Sequence, residues 1–284
     1  MHEIAPHIYI ETSFPGVTLG AINWPHGLVL IDSPFRAEDV RSWRSALLNL
    51  GGGVDRILIS LDAHYDRTLG ARLLDCTVVG HEKLLQDFRN RPVNFKTQGT
   101  ETGSEWELHN GLGTIRWAPP EITFSHNLNL NWNNSPLVLE SRPGPAVGAI
   151  WASIPGQKVV FVGDAVVPGQ PPFLASCDLP AWIESLDVLL GPDFRDFLVV
   201  SGRAGLVPVE QIRRQRQYLH ELYEAVEDMA QRKALPEQTE KLIPRFLKGF
   251  DGSDGREQLY AQRLRWGLLK YYTRHFHPST VDED

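Results

Sequence analysis

The 284-residue sequence lacks the features that mark secreted, membrane-spanning or nucleic-acid-binding proteins. It contains only two cysteines, Cys76 and Cys177, with neither a metal-binding C-x-x-C spacing nor the density of a disulfide framework. No apolar run approaches the roughly 18 residues of a membrane span, and no signal-peptide pattern opens the chain. The net charge of −7 provides no basic field for phosphate backbones. These absences predict a cytoplasmic protein with no membrane or nucleic-acid partner.

Motifs for nucleophilic serine or phosphate-binding chemistry are also missing. Neither G-x-S-x-G nor G-x-x-x-x-G-K-[ST] occurs, and Gly51-Gly52-Gly53 ends a helical pattern instead of forming a phosphate cradle. The composition, 42% apolar and 22% charged, is that of a globular protein with a full core.

Strand and helix patterns alternate along the first 207 residues. A helix is predicted over 37–50, another is expected to begin within 68–74, and further helices are predicted over 81–88 and 179–190. Strands are predicted at 7–12, 16–23, 27–32, 56–60, 77–79, 113–117, 122–124, 128–132, 137–141, 146–153, 159–163 and 197–201. A polar, Gly-rich stretch over 89–113 predicts a long surface loop near a pocket mouth. The pattern predicts an α/β (α+β) protein with two facing sheets covered by helices.

Residues 208–284 differ in character and predict a helical extension. A long amphipathic helix begins after Pro208, and a shorter helix is predicted over 237–246. A final helix over about 253–275 carries an apolar stripe of Leu259, Leu264, Leu268 and Tyr271. We expect this extension to pack on residues 1–207 or to serve in forming a homodimer. Its aromatic side chains are expected in core packing; they are Trp266, Tyr271, Tyr272 and Phe276.

Five short motifs occur in an informative order. The strand that ends at about Ser60 is followed by Asp62-Ala63-His64-Tyr65-Asp66-Arg67. The others are the strand end at Asp32 and the segments Ser141-Arg142-Pro143-Gly144-Pro145, Val162-Gly163-Asp164-Ala165 and Ser201-Gly202-Arg203-Ala204-Gly205. Over about residues 4–210 the chain resembles the metallo-β-lactamase superfamily. At these places that family writes H-x-H-x-D-H, V-L-I-D, H-T-P-G-S, F-x-G-D and P-G-H-G.

The resemblance implies a four-layer αββα sandwich with a site at one edge. In active members, histidines and aspartates hold two metals, which activate a water for hydrolysis. Carried over by position, the ligand places hold Asp62, His64 and Ser141 for one metal, and Asp66, Arg67, Asp164 and Arg203 for the other. Four of these seven ligand positions are therefore substituted, at Asp62, Arg67, Ser141 and Arg203.

Arginine at two ligand positions decides the interpretation. A guanidinium group stays protonated and has no lone pair for a cation. We therefore expect Arg67 and Arg203 to exclude the second metal and to pair with Asp62, Asp66 and Asp164. Asp32 is expected to have a structural role.

Two hypotheses for function follow. On the first, the protein has lost the dinuclear zinc site and acts as a binding or interaction module without a cofactor. On the second, it is a divergent hydrolase with one iron, manganese or zinc ion. Candidate ligands for that ion are Asp62, His64, Asp66 and Asp164, and a metal-free acid/base set would use His64, Asp66 and Asp164.

The predicted pocket also offers a place for a small anionic ligand. Arg142, next to the Ser141 ligand position, would make the pocket cationic together with Arg67 and Arg203. Alternatively, all three arginines form ion pairs with Asp62, Asp66 and Asp164, and their positive charge is then compensated. The full predicted pocket set is Asp62, His64, Asp66, Arg67, Ser141, Arg142, Asp164 and Arg203.

Overall fold

Two β-sheets pack face to face in a computed structural model that describes residues 1–51, 53–91, 102–109, 112, 116–250 and 255–277. Within these residues the first sheet has seven strands, which follow one another across the sheet in chain order. They are β1 (His2–Ala5), β2 (Ile8–Glu11), β3 (Leu19–Asn23), β4 (Gly27–Ile31), β5 (Asp55–Ile59), β6 (Thr77–His81) and β7 (Ile122–Phe124). Neighbours from β1 to β4 are antiparallel, and those from β4 to β7 are parallel.

The second sheet has six strands in the described residues, in the order β13-β12-β11-β10-β9-β8. They are β8 (Asn127–Leu130), β9 (Leu137–Ser141), β10 (Ile150–Ile154), β11 (Val159–Phe161), β12 (Leu198–Ser201) and β13 (Gly205–Val207). Only β11 and β12 pair in parallel, and the other neighbours are antiparallel.

Side-chain alternation explains why the two sheets face each other. In β4, Val29 and Ile31 point into the core between the sheets, whereas Leu28 and Leu30 point to the outer face. Both faces are covered, so the strand GLVLI is buried along its whole length.

Helices complete the outer layers. The α-helices are α1 (Ala37–Leu48), α2 (Tyr65–Thr68), α3 (Glu82–Asn90), α4 (Leu179–Leu189), α5 (Val209–Gln231), α6 (Ile243–Leu247) and α7 (Glu257–Phe276). Trp43 of α1 packs on the outer face of the first sheet. Trp182 of α4 and Leu219 of α5 join the core on the outer face of the second. The four-layer αββα sandwich is thus confirmed.

The C-terminal helices pack within the chain. All four residues of the predicted stripe on α7 are buried, and Leu264, Leu268 and Tyr271 join the same core as α4 and α5. Trp266 differs from the other aromatic residues because it lines a cavity. No helix in the described part of the chain is long and apolar enough to cross a membrane. Formation of a homodimer stays a prediction.

Several local predictions differ from the structure. The strand predicted over 146–153 begins only at Ile150, and the helix predicted over 237–246 is a 3-10 helix over Pro236–Leu242 followed by α6. The helix expected to begin within 68–74 is replaced by two short helices. His64 caps α2, which ends at Thr68, and a 3-10 helix follows over Ala71–Leu74. Residues 116–117 are not in a strand, and 113–115 lie outside the described residues. The predicted surface loop over 89–113 is wrong at Ser104–Trp106, which are buried. Its residues 92–101, 110–111 and 113 lie outside the described residues.

Candidate functional site

The site lies at one edge of the two sheets, where four strands end. Asp32 directly follows β4, and the turn that begins at Asp62 follows β5. Across the sandwich, Asp164 follows β11 and Arg203 follows β12. Because β4 pairs in parallel with β5, and β11 with β12, the carboxyl ends of each pair lie at the same edge. The fold therefore brings together four loops that are distant in sequence.

Arg67 lies at the centre of these loops with no exposed surface. Its Nη1 donates to Asp32 Oδ2 over 2.8 Å. Its Nε lies 3.1 Å from Asp62 Oδ1, and its Nη2 forms an ion pair with Asp164. One guanidinium group therefore touches three buried carboxylates, and its own charge is fully compensated.

Arg203 is the second guanidinium group of an arginine–carboxylate network. The network consists of Arg67, Arg203, Asp32, Asp62, Asp66 and Asp164. Its Nε donates to Asp164 Oδ2 over 2.9 Å, and its Nη1 donates to Asp66 Oδ2 over 2.7 Å. Its Nη2 lies 3.0 Å from Nδ1 of His64. The guanidinium plane also packs over the ring of Phe173 at 4.5 Å. Arg203 thus contacts three of the side chains that the resemblance places around a metal.

Asp66 links the network to a segment inside the predicted loop over 89–113. It is fully buried and accepts hydrogen bonds from the backbone N–H groups of Glu105 and Trp106, at 3.2 and 2.8 Å. These bonds, with the one from Arg203, satisfy both carboxylate oxygens. They also explain why Ser104–Trp106 are buried instead of lying on the surface.

Close packing around Arg67 requires a glycine at position 202. A Cβ atom there would lie 2.5 Å from Arg67 Nη1 and 2.7 Å from the carbonyl carbon of Gly163. Any other residue would therefore push the guanidinium group away from its carboxylates.

The four carboxylates of the network differ in the direction of their pKa shifts, which is upward for two of them and downward for the other two. Burial raises the pKa of Asp32 to about 7 and also raises the pKa of Asp62, although Arg67 opposes both shifts. Burial acts in the same direction on Asp66 and Asp164, but Arg203 outweighs it and holds the pKa of both below the ordinary range. Because the network has two more carboxylates than guanidinium groups, a proton on Asp32 relieves part of its negative charge.

His64 is held as a neutral imidazole in one tautomer. Two donors, Arg203 Nη2 and the backbone N–H of Asp66, lie 3.0 and 3.3 Å from its Nδ1, which must therefore accept. The proton is then on Nε2, which lies 3.5 Å from Ser104 Oγ. Burial, followed by the charge of Arg203, lowers the pKa of His64 to about 3. The ring is thus a hydrogen-bond donor at Nε2.

Two of the eight predicted pocket residues lie apart from this network. Arg142 pairs with Glu140 at 3.6 Å and packs over the ring of Trp151 at 5.4 Å. Its guanidinium group therefore lies against residues of β9 and β10. Ser141 lines a separate cavity with His81. The predicted cationic set of three arginines is therefore reduced to Arg67 and Arg203. Asp32, expected to be structural, does accept from the backbone of Leu61 but also pairs with Arg67.

A cavity of about 200 Å³ lies beside His64. Arg263 of α7 lines it and is 1% exposed, and its guanidinium group packs over Phe173 at 4.0 Å. Sequence reasoning missed Arg263, although one signal was available. It lies four residues after Leu259 and one before Leu264, so helical spacing places it on the buried stripe of α7.

Solved structures of proteins with the same architecture superimpose on the chain. The stereoselective inverting sec-alkylsulfatase of a Pseudomonas species has a TM-score of 0.72 at 14% identity, covering 99% of this chain and 52% of the alkylsulfatase. The chain thus spans about half the length of that protein. A metallo-β-lactamase family protein of Thermus thermophilus has a TM-score of 0.64 at 16% identity, covering 96% and 94% of the two chains. A metallo-β-lactamase from Pontibacter korlensis has 0.59 at 17%, covering 77% and 97%.

These superpositions agree with the two facing sheets and their outer helices. The protein has the metallo-β-lactamase fold. No protein-family model and no curated protein matches the sequence.

The resemblance implies two metal positions in this fold. The side chains found at these positions are arranged in a way that does not suit a divalent ion. Asp66 and Asp164 are engaged by guanidinium groups, and Nδ1 of His64 already accepts two hydrogen bonds. Arg67 and Arg203 offer no lone pair. Among the residues that the structure describes, no group of three or more His, Cys, Asp or Glu side chains is placed to hold a metal ion.

Proposed function

We propose that this protein is a non-catalytic binding module, in which the arginine–carboxylate network stands where other proteins of this fold hold two zinc ions. The observation that carries the proposal is the position of Arg203. Its guanidinium group contacts Asp66, Asp164 and His64 at 2.7, 2.9 and 3.0 Å. A cation at that place would have to displace a charged group with the same sign.

Energetics favour retention of the network. Removing one partner of a buried ion pair typically costs about 3–5 kcal/mol, because the remaining charge is left uncompensated. Arg203 pairs with two carboxylates that are themselves buried, so a metal would have to offset the loss of both pairs. We therefore propose that the protein works without a metal or other cofactor.

The divergent-hydrolase hypothesis is less well supported by the same contacts. As a general base, His64 needs a free lone pair, but Nδ1 is occupied and Nε2 carries the proton. Asp66 is fully buried and Asp164 is 2% exposed, so neither carboxylate is placed to receive a proton from a substrate. These restraints favour binding over acid/base chemistry.

The likeness to solved structures concerns the fold and not the activity. The Pseudomonas protein is named an alkylsulfatase, but this chain matches only 52% of its length at 14% identity. One fold carries many functions, and function depends on the residues of the site. Those residues here support binding of a small anionic ligand.

We propose a cytoplasmic protein with no nucleic-acid or membrane partner, organised as a core over residues 1–207 with the helical extension 208–284 packed on it. We also propose that a homodimer, if it forms, uses the helical extension. Light scattering of the purified protein measures its mass directly and tests the dimer.

Metal analysis tests the central part of the proposal. Protein purified without chelators is expected to contain far less than one metal ion per chain by elemental mass spectrometry. A full complement of tightly bound zinc would overturn the proposal. The matched variants are Arg203→His and Arg203→Lys. The introduced imidazole should complete a donor set with His64, Asp66 and Asp164 and allow zinc to bind, whereas the lysine variant should stay metal-free.

A further inference from the structure

The cavity beside His64 has the size and lining of a small-molecule site. It lies between α7 and the loops that carry the network. At about 30 Å³ per water molecule, a volume of 200 Å³ suits a ligand of about seven to ten heavy atoms. Its walls are mainly apolar and include Ala63, Val147, Phe173, Leu174 and Trp266. The apolar part of a ligand of that size would therefore lose its contact with water when it binds in the cavity.

Arg263 supplies a buried positive charge at this cavity, and no carboxylate among the described residues forms an ion pair with it. Its Nε donates to the Gly103 carbonyl over 2.8 Å. Its Nη1 donates to Gln170 Oε1 and to the Pro171 carbonyl, over 2.7 and 3.0 Å. All three acceptors are neutral. Within the described residues, Arg263 forms no ion pair, and no hydrogen bond engages its Nη2.

An uncompensated guanidinium group that is 1% exposed is unusual and costly. Burial lowers the pKa of Arg263 below its ordinary value, with Arg203 adding to the effect, yet an arginine starts so high that it stays protonated at neutral pH. The contrast with Arg67 and Arg203 is direct, because both of those lie against carboxylates.

The other charged side chains at the cavity, as far as the described residues show, already have partners. Asp87 and Arg91 both line it, and Arg91 Nε donates to Asp87 Oδ2 over 2.7 Å. Arg203 lies against the ring of Phe173, as Arg263 does, and its charge is taken up by Asp66 and Asp164. In the described part of the chain, Arg263 is therefore the cavity charge that remains to attract an anion.

One further donor faces the same space. His64 lines the cavity, and its Nε2–H can donate there because Nδ1 is engaged by Arg203. Ser104 also lines the cavity, but its hydroxyl donates to Thr102 Oγ1 over 2.7 Å, because Thr102 donates its own proton to Glu107. An oxyanion would accept from Nε2 of His64 while it pairs with the guanidinium group.

We propose that this cavity binds a small monoanion with an apolar body, whose charged oxygens pair with Arg263 and accept from Nε2 of His64. The inference makes the proposed function more specific and rests on it. It requires a neutral His64 ring that donates from Nε2, and a metal ion bound to His64 would change this state. The shared ligand chemistry is a singly charged oxyanion head, which a carboxylate or a sulfonate-type group can provide.

Calorimetry with matched pairs of ligands tests this inference. The anions are hexanoate, benzoate and pentanesulfonate, and their neutral counterparts are hexanamide, benzamide and pentyl methyl sulfone. At least one anion should bind about tenfold or more tightly than its counterpart, since close charge pairs at buried sites give coupling of that size or larger. The pair that shows the difference identifies the head group. If no anion binds more tightly than its neutral counterpart, the inference is overturned.

Two variants on α7 show whether Arg263 is responsible. Arg263→Gln should remove the preference for the anion, because the affinity should fall much more for the anion than for its neutral counterpart. Arg265→Gln is the control, because Arg265 lies on the same helix but pairs with Glu240 and is 49% exposed on its side chain. A folded Arg263→Gln protein that keeps the preference would contradict the inference. If that variant does not fold, the comparison of ligand pairs in the unmodified protein still decides.

A chelator separates failure of this inference from failure of the proposed function. Anion binding that disappears when the protein is treated with EDTA would show a metal at the site and overturn the proposed function. Metal-free protein without any preference for anions would overturn only the ligand inference. Preference that persists in EDTA supports both.

Discussion

Arg203 and His64 are joined by a hydrogen bond of 3.0 Å from Nη2 to Nδ1, which fixes the tautomer of the histidine. The same guanidinium group holds Asp66 and Asp164 on its other nitrogens. The bond therefore turns a residue with a metal-ligand position in this fold into a hydrogen-bond donor. It also connects the arginine–carboxylate network to the cavity in which we infer ligand binding.

The tautomer of His64 is directly measurable. We expect a neutral ring with its proton on Nε2 from about pH 5 to pH 8, because the pKa in the folded protein is about 3. Since that value lies below the unfolded one, the stability due to neutral His64 is complete above about pH 6.5 and is lost as the pH falls toward 3. Long-range ¹H–¹⁵N correlation of the imidazole gives the tautomer, and His64→Asn assigns the signal. A proton on Nδ1, or a charged ring at pH 6, would refute this account.

Loss of Arg67 should leave three buried carboxylates without their shared cation. Arg67→Met is expected to lower the free energy of unfolding by about 3–5 kcal/mol at neutral pH. The unpaired carboxyls would have raised pKa values in the folded state, so the loss should grow as the pH rises and shrink near pH 5, where they hold protons. Urea unfolding at pH 5 and pH 8 measures both effects.

Arg216→Met is the matched control for Arg67→Met. Arg216 pairs with Asp187 on the surface, and its side chain is 34% exposed. Such pairs contribute at most about 1 kcal/mol. Equal losses in the two variants would show that the network does not stabilise the fold in the way we describe.

Gly202 tests the packing around Arg67 without removing a charge. Gly202→Ala places a Cβ 2.5 Å from Arg67 Nη1, and we expect a loss of about 1–3 kcal/mol in the free energy of unfolding. Gly144→Ala is the comparison, because the nearest atom to its Cβ is 3.6 Å away. That variant should stay within about 0.5 kcal/mol of the unmodified protein. Indistinguishable denaturant midpoints for the two variants would argue against close packing at Gly202.

The helical extension is predicted to unfold together with the sandwich. Leu264 is fully buried in the core that α4 and α5 share, so Leu264→Ala should cost about 2–5 kcal/mol and shift a single transition. Leu235→Ala, at a side chain that is 61% exposed, should have little effect. Thermal unfolding, followed by circular dichroism and by calorimetry, shows whether each variant unfolds in one transition or in two. A separate early transition in Leu264→Ala would show that the extension is an independent unit.

Much of the architecture was accessible from the sequence, for identifiable reasons. Strands such as GLVLI and helices such as α1 have apolar periods that local patterns reveal, and the order of the motifs placed Arg67 and Arg203 beside Asp66 and Asp164. The pairing of two arginines with carboxylates followed from the positions that the resemblance implies, together with their opposite charges.

Other parts of the site depend on tertiary contacts that no local pattern contains. Burial of Ser104–Trp106 results from backbone bonds to Asp66, which lies about forty residues earlier. Arg142 turns toward Glu140 and Trp151, although its motif suggested the pocket. Arg263 reaches the cavity only because α7 folds back over the loops of the sandwich.

The most direct test of the central claim is a crystal structure determined in the presence of excess zinc, with anomalous diffraction recorded at the zinc absorption edge. The account predicts that the guanidinium group of Arg203 lies between Asp66 and Asp164, with no anomalous peak at coordination distance from either carboxylate. A zinc peak bound by His64, Asp66 and Asp164, with Arg203 displaced, would contradict it.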